Sequence, residues 1–322
     1  MLPIVVDVMG GDNAPRAIVD GALSASTQGI AVELVGLASA VESVGSLKLH
    51  PASQVIGMAD EPGRAVRTMK DSSIVRAAER VRDGHASAMV SAGNTGAVAA
   101  AALLRMKRIP GVSRPAIATA LPVPGRAPKI LLDSGAMADC QPDWLLQFAQ
   151  MGSAFARVRY GIKKPQIGLL SIGEEAEKGN QITKAAHVLL RNDKSIDFIG
   201  NVEGRDILDG AVDVVVADGF TGNVALKTIE GTIKFLVDQI ISILLADGVG
   251  EVGTEALGLL SPIAAELNPE AVGGAMLLGV NGIAIISHGS AGPLAIENAI
   301  KVARDMVDRD LIGALSKAVT AS

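Results

Sequence analysis

Short β-type apolar runs recur along the chain, each stopping abruptly in a cluster of Gly, Ser, Thr, Asn or Asp before a helix-like segment begins. Five junctions stand out. They are Ile4-Val5-Val6 into Asp7-Val8-Met9-Gly10-Gly11-Asp12, Ala88-Met89-Val90 into Ser91-Ala92-Gly93-Asn94-Thr95-Gly96, and Ile130-Leu131-Leu132 into Asp133-Ser134-Gly135. Ile167-Gly168-Leu169-Leu170 into Ser171-Ile172-Gly173, and Val214-Val215-Val216 into Asp218-Gly219-Phe220-Thr221-Gly222-Asn223, complete the set. Helical periodicity fills the intervals, as at 74–82, 144–158 and 183–191. Such alternation predicts βαβ units, hence an α/β fold with a mostly parallel sheet covered on both faces. One domain over 1–322 with a deep crevice is expected, its loops at the carboxyl ends of the strands, where helix N-termini form anion sites.

The segment 231–269 breaks this rhythm and reads as two helices. Ile233, Phe235, Leu236, Val237, Ile240, Ile241, Ile243, Leu244 and Leu245 make the first apolar around most of its circumference, and residues 256–265 carry no charge. Such a protruding pair buries itself in the core, in a second copy of the chain or against a membrane surface. The uncharged stretch 271–296 contains Asn281, His288, Pro293 and six glycines, so it reads as a buried strand and glycine-rich loop rather than a membrane span. The first residues lack the basic and apolar regions of a secretory signal and read as the first strand.

Composition narrows the function. Aromatics are five Phe, Tyr160 and Trp144 among 322 residues, which points to aliphatic packing of helices on a sheet. A net charge of −5 argues against nucleic-acid binding, which needs a basic field. The single cysteine, Cys140, excludes an intrachain disulfide and suits a reducing cytoplasm. Beside Asp139 and with no His or Lys nearby in sequence, its thiolate is not favoured, so it reads as packing rather than as a nucleophile. No metal-ligand spacing is present.

Several junctions carry groups suited to an anion or a carbonyl. Gly10 and Gly11 permit close backbone approach, while Asp12 or Asn13 can cap a helix starting near Pro15; direct contact and mere support of a site both fit. Lys70-Asp71-Ser72-Ser73, with Arg64 and Arg67 upstream, offers hydroxyls and positive charge before a helix, for capping, for an anion or for both. Gly93-Asn94-Thr95-Gly96 joins amide and hydroxyl side chains to helix-start N–H groups, although Asn94 and Thr95 also suit a passive turn. Lys178-Gly179-Asn180 and Lys184 stand at another helix start, where the dipole lowers an amine's pKa; a solvated charge patch is the alternative. Thr221, Gly222, Asn223 and Lys227 form a similar group, and His288 lies in a glycine-rich turn as a proton carrier or a hydrogen-bonded structural residue.

At these motifs the chain resembles the bacterial phosphate acyltransferases of phospholipid synthesis. The resemblance rests on Asp-Val-Met-Gly-Gly-Asp at 7–12, Lys-Asp-Ser-Ser at 70–73, Ser-Ala-Gly-Asn-Thr-Gly-Ala at 91–97 and Ile-Pro-Gly-Val-Ser-Arg-Pro at 109–115. It continues through Ile-Gly-Glu-Glu at 172–175, Lys-Gly-Asn at 178–180, Phe-Ile-Gly-Asn-Val-Glu-Gly-Arg-Asp at 198–206, Asp-Gly-Phe-Thr-Gly-Asn at 218–223 and Ser-His-Gly at 287–289. Asn13 stands where that family often has His, and Met137 where Asn is usual, which takes a polar group from the 133–137 loop.

The resemblance implies an α/β/α sandwich similar to phosphotransacetylase and isocitrate dehydrogenase-like folds. It also implies a cytoplasmic homodimer with peripheral membrane attachment, and transfer of a fatty acyl group from acyl carrier protein to inorganic phosphate without a cofactor. Leu257, Leu259, Leu260 and Ile263, within 255–265, are the expected lipid contacts. We assign substrate and phosphate contacts to Gly10, Gly11, Asp12, Lys70, Ser72, Ser73, Gly93, Asn94, Thr95, Gly96, Thr221 and Gly222. Asn180, Lys184 and Asn223 are assigned to polarising the carbonyl, and His288 to acid/base work. A coenzyme A-dependent phosphotransacetylase and a non-catalytic phosphoryl-ligand or membrane-binding scaffold are the competing readings. An acidic carrier calls for a basic patch, and Arg105, Lys107, Arg108 and Arg114 are the densest basic cluster in sequence.

Overall fold

Strand β1 (Ile4–Asp7) has no exposed side chain, because its alternate residues serve two cores. Ile4 and Val6 join one apolar cluster and Val5 another on the opposite face, the burial expected of a strand covered on both sides. A computed structural model of the chain, describing residues 1–41, 43–246 and 250–320, extends this pattern to eleven strands in one sheet. The others are β2 (Val32–Gly36), β3 (Lys48–Pro51), β4 (Ala88–Ser91), β5 (Ala116–Leu121), β6 (Lys129–Leu132), β7 (Gln166–Leu170), β8 (Asp197–Val202), β9 (Val214–Val216), β10 (Ala275–Leu278) and β11 (Ile283–Ile286). All five junction runs are strands.

Helices cover both faces. On one lie α1 (Arg16–Thr27), α5 (Pro142–Tyr160), α6 (Gln181–Asn192), α10 (Pro293–Asp308) and α11 (Leu311–Thr320), packed through Ile18, Phe148, Ala186, Ile296 and Leu315. On the other lie α2 (Pro62–Thr68), α3 (Ser73–Arg82) and α4 (Thr95–Met106) over β1 and β4. The short α7 (Asp206–Asp209) and the start of α8 (Gly219–Leu244) cover β6 and β9 on that second face. The expected α/β fold with a mostly parallel sheet is the observed one.

What periodicity does not carry is strand direction. The sheet order is β3-β2-β1-β4-β11-β10-β5-β6-β9-β7-β8, parallel except at the joints β11–β10, β10–β5 and β5–β6. Three reversals leave the two halves of the sheet running in opposite senses. Across the row Val6, Val90, Ile285, Met276, Ala118, Leu132, Val216, β1 and β4 continue one residue to Asp7 and Ser91. From the same row β6 and β9 are already leaving the other way. The loops after β1, β4 and β11 therefore leave upward, here called the upper edge, and those after β6, β7 and β9 downward, here the lower edge, from levels only two rows apart at Asp7 and Asp133.

Helix α8 crosses between the edges. It starts at the lower edge and packs on the sheet through Leu226, Ala225 and Ile229. The rest, about 22 Å at 1.5 Å per residue, projects past the upper edge. Helix α9 (Gly250–Glu266) returns beside it, and Glu266 accepts a hydrogen bond from Gly125 N (2.9 Å) in the turn between β5 and β6. An apolar groove of about 370 Å³ runs between the two, lined by Val237, Ile240, Ile241, Leu257, Leu260 and Ile263 among others. Among the described residues no helix is long and apolar enough to cross a membrane.

Candidate active site

The upper edge is organised around a buried carboxylate. Asp7 is wholly inaccessible to solvent, and accepts hydrogen bonds from Met9 N (3.0 Å) and Ser91 Oγ (2.7 Å). Ser91 Oγ in turn accepts from Gly93 N at 3.1 Å, so one acid fixes the turns after both strands. Burial raises the Asp7 pKa above its ordinary value, opposed by hydrogen bonds from Ser91, Ser73 and Met9. Gly10 packs backbone to backbone on Gly93, where a Cβ would overlap. Gly11 takes a left-handed φ of +96° beside the Gly289 carbonyl.

The same cluster draws in the end of β11. Asp12 N donates to Gly289 O (2.7 Å), and Asn13 Nδ2 donates to Ser290 O (3.0 Å) and Ala291 O (3.3 Å). His288 is exposed, and its Nδ1 lies 2.8 Å from Ser290 Oγ and 3.4 Å from Ser290 N. Since an N–H must donate, the ring proton belongs on Nε2, which leaves that nitrogen to face solvent or substrate. Glu270 Oε1 accepts from Gly292 N (3.0 Å), tying this loop to the chain returning from α9.

Not every assigned side chain is available to a ligand. Asn94 caps α4 through Oδ1, which accepts from Ala97 N (3.1 Å), while Nδ2 donates to the carbonyls of Gly57, Met58 and Asp60. Its amide is thus spent on holding the 57–60 segment. Ser72 and Ser73 are buried, Ser73 against Asp7, and Ser72 Oγ has no partner among the described residues. Thr95, at the first turn of α4, and Lys70 are exposed. The upper edge presents the α4 N-terminus with the Thr95 hydroxyl, Lys70 ahead of α3, and a polar frame behind them.

The lower edge repeats the device. Asp133, also wholly buried, accepts from the N–H groups of Ile117 (3.0 Å), Gly135 (3.0 Å), Ala136 (2.9 Å) and Met137 (2.7 Å). Burial pushes its pKa up and those four N–H bonds work against it. The start of α8 sits directly on this loop: Gly222 touches the Asp133 carbonyl so closely that no Cβ fits. Asp218 caps α8, accepting from Thr221 N and Thr221 Oγ1 (both 2.8 Å), so Thr221 serves the cap. Asn223 is exposed and its side chain faces Gly135.

Because β9 pairs with both β6 and β7, the loop after β7 joins this edge. Asn180 caps α6 with Oδ1, which accepts from Thr183 N (2.9 Å) and Thr183 Oγ1 (3.0 Å), leaving Nδ2 without a protein partner among the described residues. Lys184, in the first turn of α6, is exposed and unpaired among the described residues. The structure thus groups Asn180, Lys184, Thr221, Gly222 and Asn223 at one edge. It groups Gly10, Gly11, Asp12, Lys70, Ser72, Ser73, Gly93, Asn94, Thr95, Gly96 and His288 at the other.

Neither edge offers a reactive thiol. Cys140 is buried and burial pushes its pKa up to about 12. The basic cluster expected from sequence is mostly engaged internally: Arg105 lies 3.5 Å from Glu79, Arg108 binds Ser113 O, and Arg114 stacks 4.5 Å from the Trp144 ring centre. Asp7 and Asp133 were not among the assigned residues, although an acid directly after an apolar strand was a signal that could have marked them.

The fold is that of the phosphotransacetylases. The EutD phosphotransacetylase from Staphylococcus aureus superposes with a TM-score of 0.60 at 15% identity, covering 95% of this chain and 94% of that one. A branched-chain phosphotransacylase from Enterococcus faecalis V583 gives 0.59 at 12% identity, covering 95% and 99%. The sequence goes further. A family model described as "Fatty acid synthesis protein" matches residues 2–313. The phosphate acyltransferase of Anaeromyxobacter dehalogenans strain 2CP-C is 47% identical over 99% of this chain and 91% of its own length, and that of Halothermothrix orenii 44% over 98% of each. The chain belongs to this family of phosphate acyltransferases.

The buried acid of the upper edge gives a pH test. A carboxyl whose folded pKa is raised contributes most to stability below its ordinary pKa of 3.8, and that contribution is lost as pH rises through the folded value. In Asp7→Asn the Met9 and Ser91 bonds can be kept without a titrating group. Denaturant unfolding followed from pH 4 to 8 should show the stability difference moving in favour of the variant as pH rises above about 4. A difference that does not change with pH would show that Asp7 titrates as an exposed acid does.

Proposed function

We propose that the acyl donor is the thioester of acyl carrier protein and that inorganic phosphate attacks it directly. A phosphate oxygen adds to the thioester carbonyl carbon, the C–S bond breaks, and acyl phosphate leaves with the carrier thiol. The observation that carries this reading is a family match over nearly the whole chain combined with two exposed lysines that have no partner among the described residues, Lys184 in the first turn of α6 and Lys70 two residues before the Ser72 cap of α3. A direct attack requires two anionic species brought to reacting distance and an oxyanion stabilised as it forms.

The groups divide by chemistry. The N-terminus of α4, Thr95 and Lys70 suit a phosphate, with Ser72, Ser73 and Asn94 forming the frame behind them. Lys184, with Asn180 Nδ2 and Asn223, suits the developing oxyanion, since an amine and two amides supply donors that strengthen as charge appears. His288 Nε2 suits protonation of the departing sulfur. The fold likeness to phosphotransacetylases supports coenzyme A thioesters as the second reading, and comparing the two donors at equal concentration decides between them.

The protein is read as a cytoplasmic homodimer that touches the membrane through the α8–α9 pair. Supporting this, Leu259 and Val252 are 80% and 70% exposed, and Phe235, Leu236, Ile243 and Leu245 are each more than half exposed. Soluble proteins seldom leave so much contiguous apolar surface uncovered.

Lys184→Ala should lower acyl phosphate formation by at least about 100-fold, the cost of losing an oxyanion donor, with the circular dichroism spectrum unchanged; near-normal turnover would remove Lys184 from the mechanism. For the membrane contact, Val252→Glu combined with Leu259→Glu should abolish co-flotation with anionic phospholipid vesicles. If the double variant still floats with them, the tip is not the anchor.

A further inference from the structure

Helix α2 displays its cations and commits its acids. Arg64 and Arg67 lie one turn apart on its outer face and Lys70 follows just past its end, all exposed and without a side-chain partner among the described residues. The acids of the same stretch are spent on their own backbone and neighbours. Asp60 accepts from Gly57 N (2.7 Å), Glu61 from Gly63 N (3.0 Å) and Arg64 N (2.7 Å), and Asp71 from Ser53 N (3.0 Å) and Arg76 Nε (2.6 Å). In a chain of net charge −5 this face is a local positive field.

That field is fastened to the upper edge. Pro62, the first residue of α2, packs on Gly96 in the first turn of α4, where a Cβ would come within 2.6 Å of the Pro62 Cγ. Asn94, the cap of α4, holds the carbonyls of Gly57, Met58 and Asp60 in the segment leading into α2. At 1.5 Å per residue, Arg64 and Arg67 stand about 3 and 7.5 Å along α2 from the Pro62 contact. Met58 is 50% exposed, and its Cε would lie 3.0 Å from a Cβ on Gly289. The segment that carries the cations thus also carries an exposed, adaptable apolar contact at the His288 loop.

We propose that this face, Arg64 and Arg67 together with Met58, is the docking surface for the acyl carrier protein, an acidic surface that settles on the two guanidiniums and delivers its thioester toward the start of α4. This rests on the carrier-thioester reading above. Neither arginine has to give up an internal partner to meet a carboxylate. Arg105, Arg108 and Arg114, the patch suggested by sequence, would have to leave Glu79, Ser113 O and Trp144. Arg191 and Lys194 are exposed as well, but Arg191 is about 15 Å along α6 from its N-terminus, and the loop ahead of α6 presents Glu174, Glu175 and Glu177 to solvent, a like-charge surface for an acidic partner.

The test is steady-state kinetics of the full-length protein with two donors, palmitoyl-loaded acyl carrier protein and palmitoyl-pantetheine, which has the thioester but no carrier. In Arg64→Glu combined with Arg67→Glu, the KM for the carrier thioester should rise at least about tenfold and lose most of its salt dependence, with kcat little changed. The rate with palmitoyl-pantetheine and the KM for phosphate should stay at the wild-type values. Arg64→Lys with Arg67→Lys, which keeps the charge, should restore most of the carrier affinity, and Arg191→Glu with Lys194→Glu should leave it untouched. An unchanged carrier KM in the charge-reversed α2 variant would overturn the proposal. So would an equal loss with palmitoyl-pantetheine, which places the two arginines in the fold or the chemistry, or a raised carrier KM in the α6 variant alone. A wild type that accepts palmitoyl coenzyme A but not the carrier thioester would overturn the donor reading itself, and the docking face with it.

Discussion

The placement of every functional group in this protein depends on the antiparallel joint β10–β5–β6 in the middle of an otherwise parallel sheet. A βαβ unit sends its strand-end loops to one edge, and a sheet built only of such units would gather all its glycine-polar turns there. Reversing direction at the joint instead gives two edges with similar equipment. Each has a helix N-terminus, exposed lysine and a carboxamide or imidazole. From this follows the grouping of the phosphate-like side chains after β1, β4 and β11 and of the carbonyl-like ones after β7 and β9. The length of α8 has the same origin, since it starts at one edge and must project beyond the other to offer its apolar surface.

Each edge is stabilised by a carboxylate that solvent does not reach. Burying an acid is costly unless hydrogen bonds compensate; Asp133 collects them from backbone N–H groups, Asp7 from Met9 N and from serine hydroxyls. Asp133 gathers four N–H groups into a nest, and the close contact at Gly222 locks α8 onto it. Asp7 reaches fewer donors but links two strand ends through Ser91. Loops rich in glycine would otherwise be mobile. Pinned from behind, they hold their outward donors in place, the preorganisation that electrostatic catalysis needs.

Much of this was legible in the chain. Runs such as Val214-Val215-Val216 are short, branched and bounded by turn residues, so they could hardly be anything but buried strands, and the helices at 74–82, 144–158 and 183–191 lie within two residues of their true ends. Strand direction was not legible, because alternation and periodicity are the same read either way along a sheet. The role of Asn94 was hidden for a related reason: its amide is committed to carbonyls more than thirty residues away, and only tertiary contact shows that. Arg105, Arg108 and Arg114 looked like a free basic patch in sequence, and their partners Glu79, Ser113 and Trp144 come together only in the fold.

The central claim is that phosphate itself is the nucleophile and that no acyl-enzyme forms. Release of free carrier thiol from palmitoyl-loaded acyl carrier protein, followed with and without inorganic phosphate, tests it most directly. Thiol release that depends on phosphate, matched one for one by acyl phosphate and without a burst in its absence, is the result expected. A stoichiometric burst of thiol before phosphate is added would mean that the protein accepts the acyl group covalently, and would contradict the account.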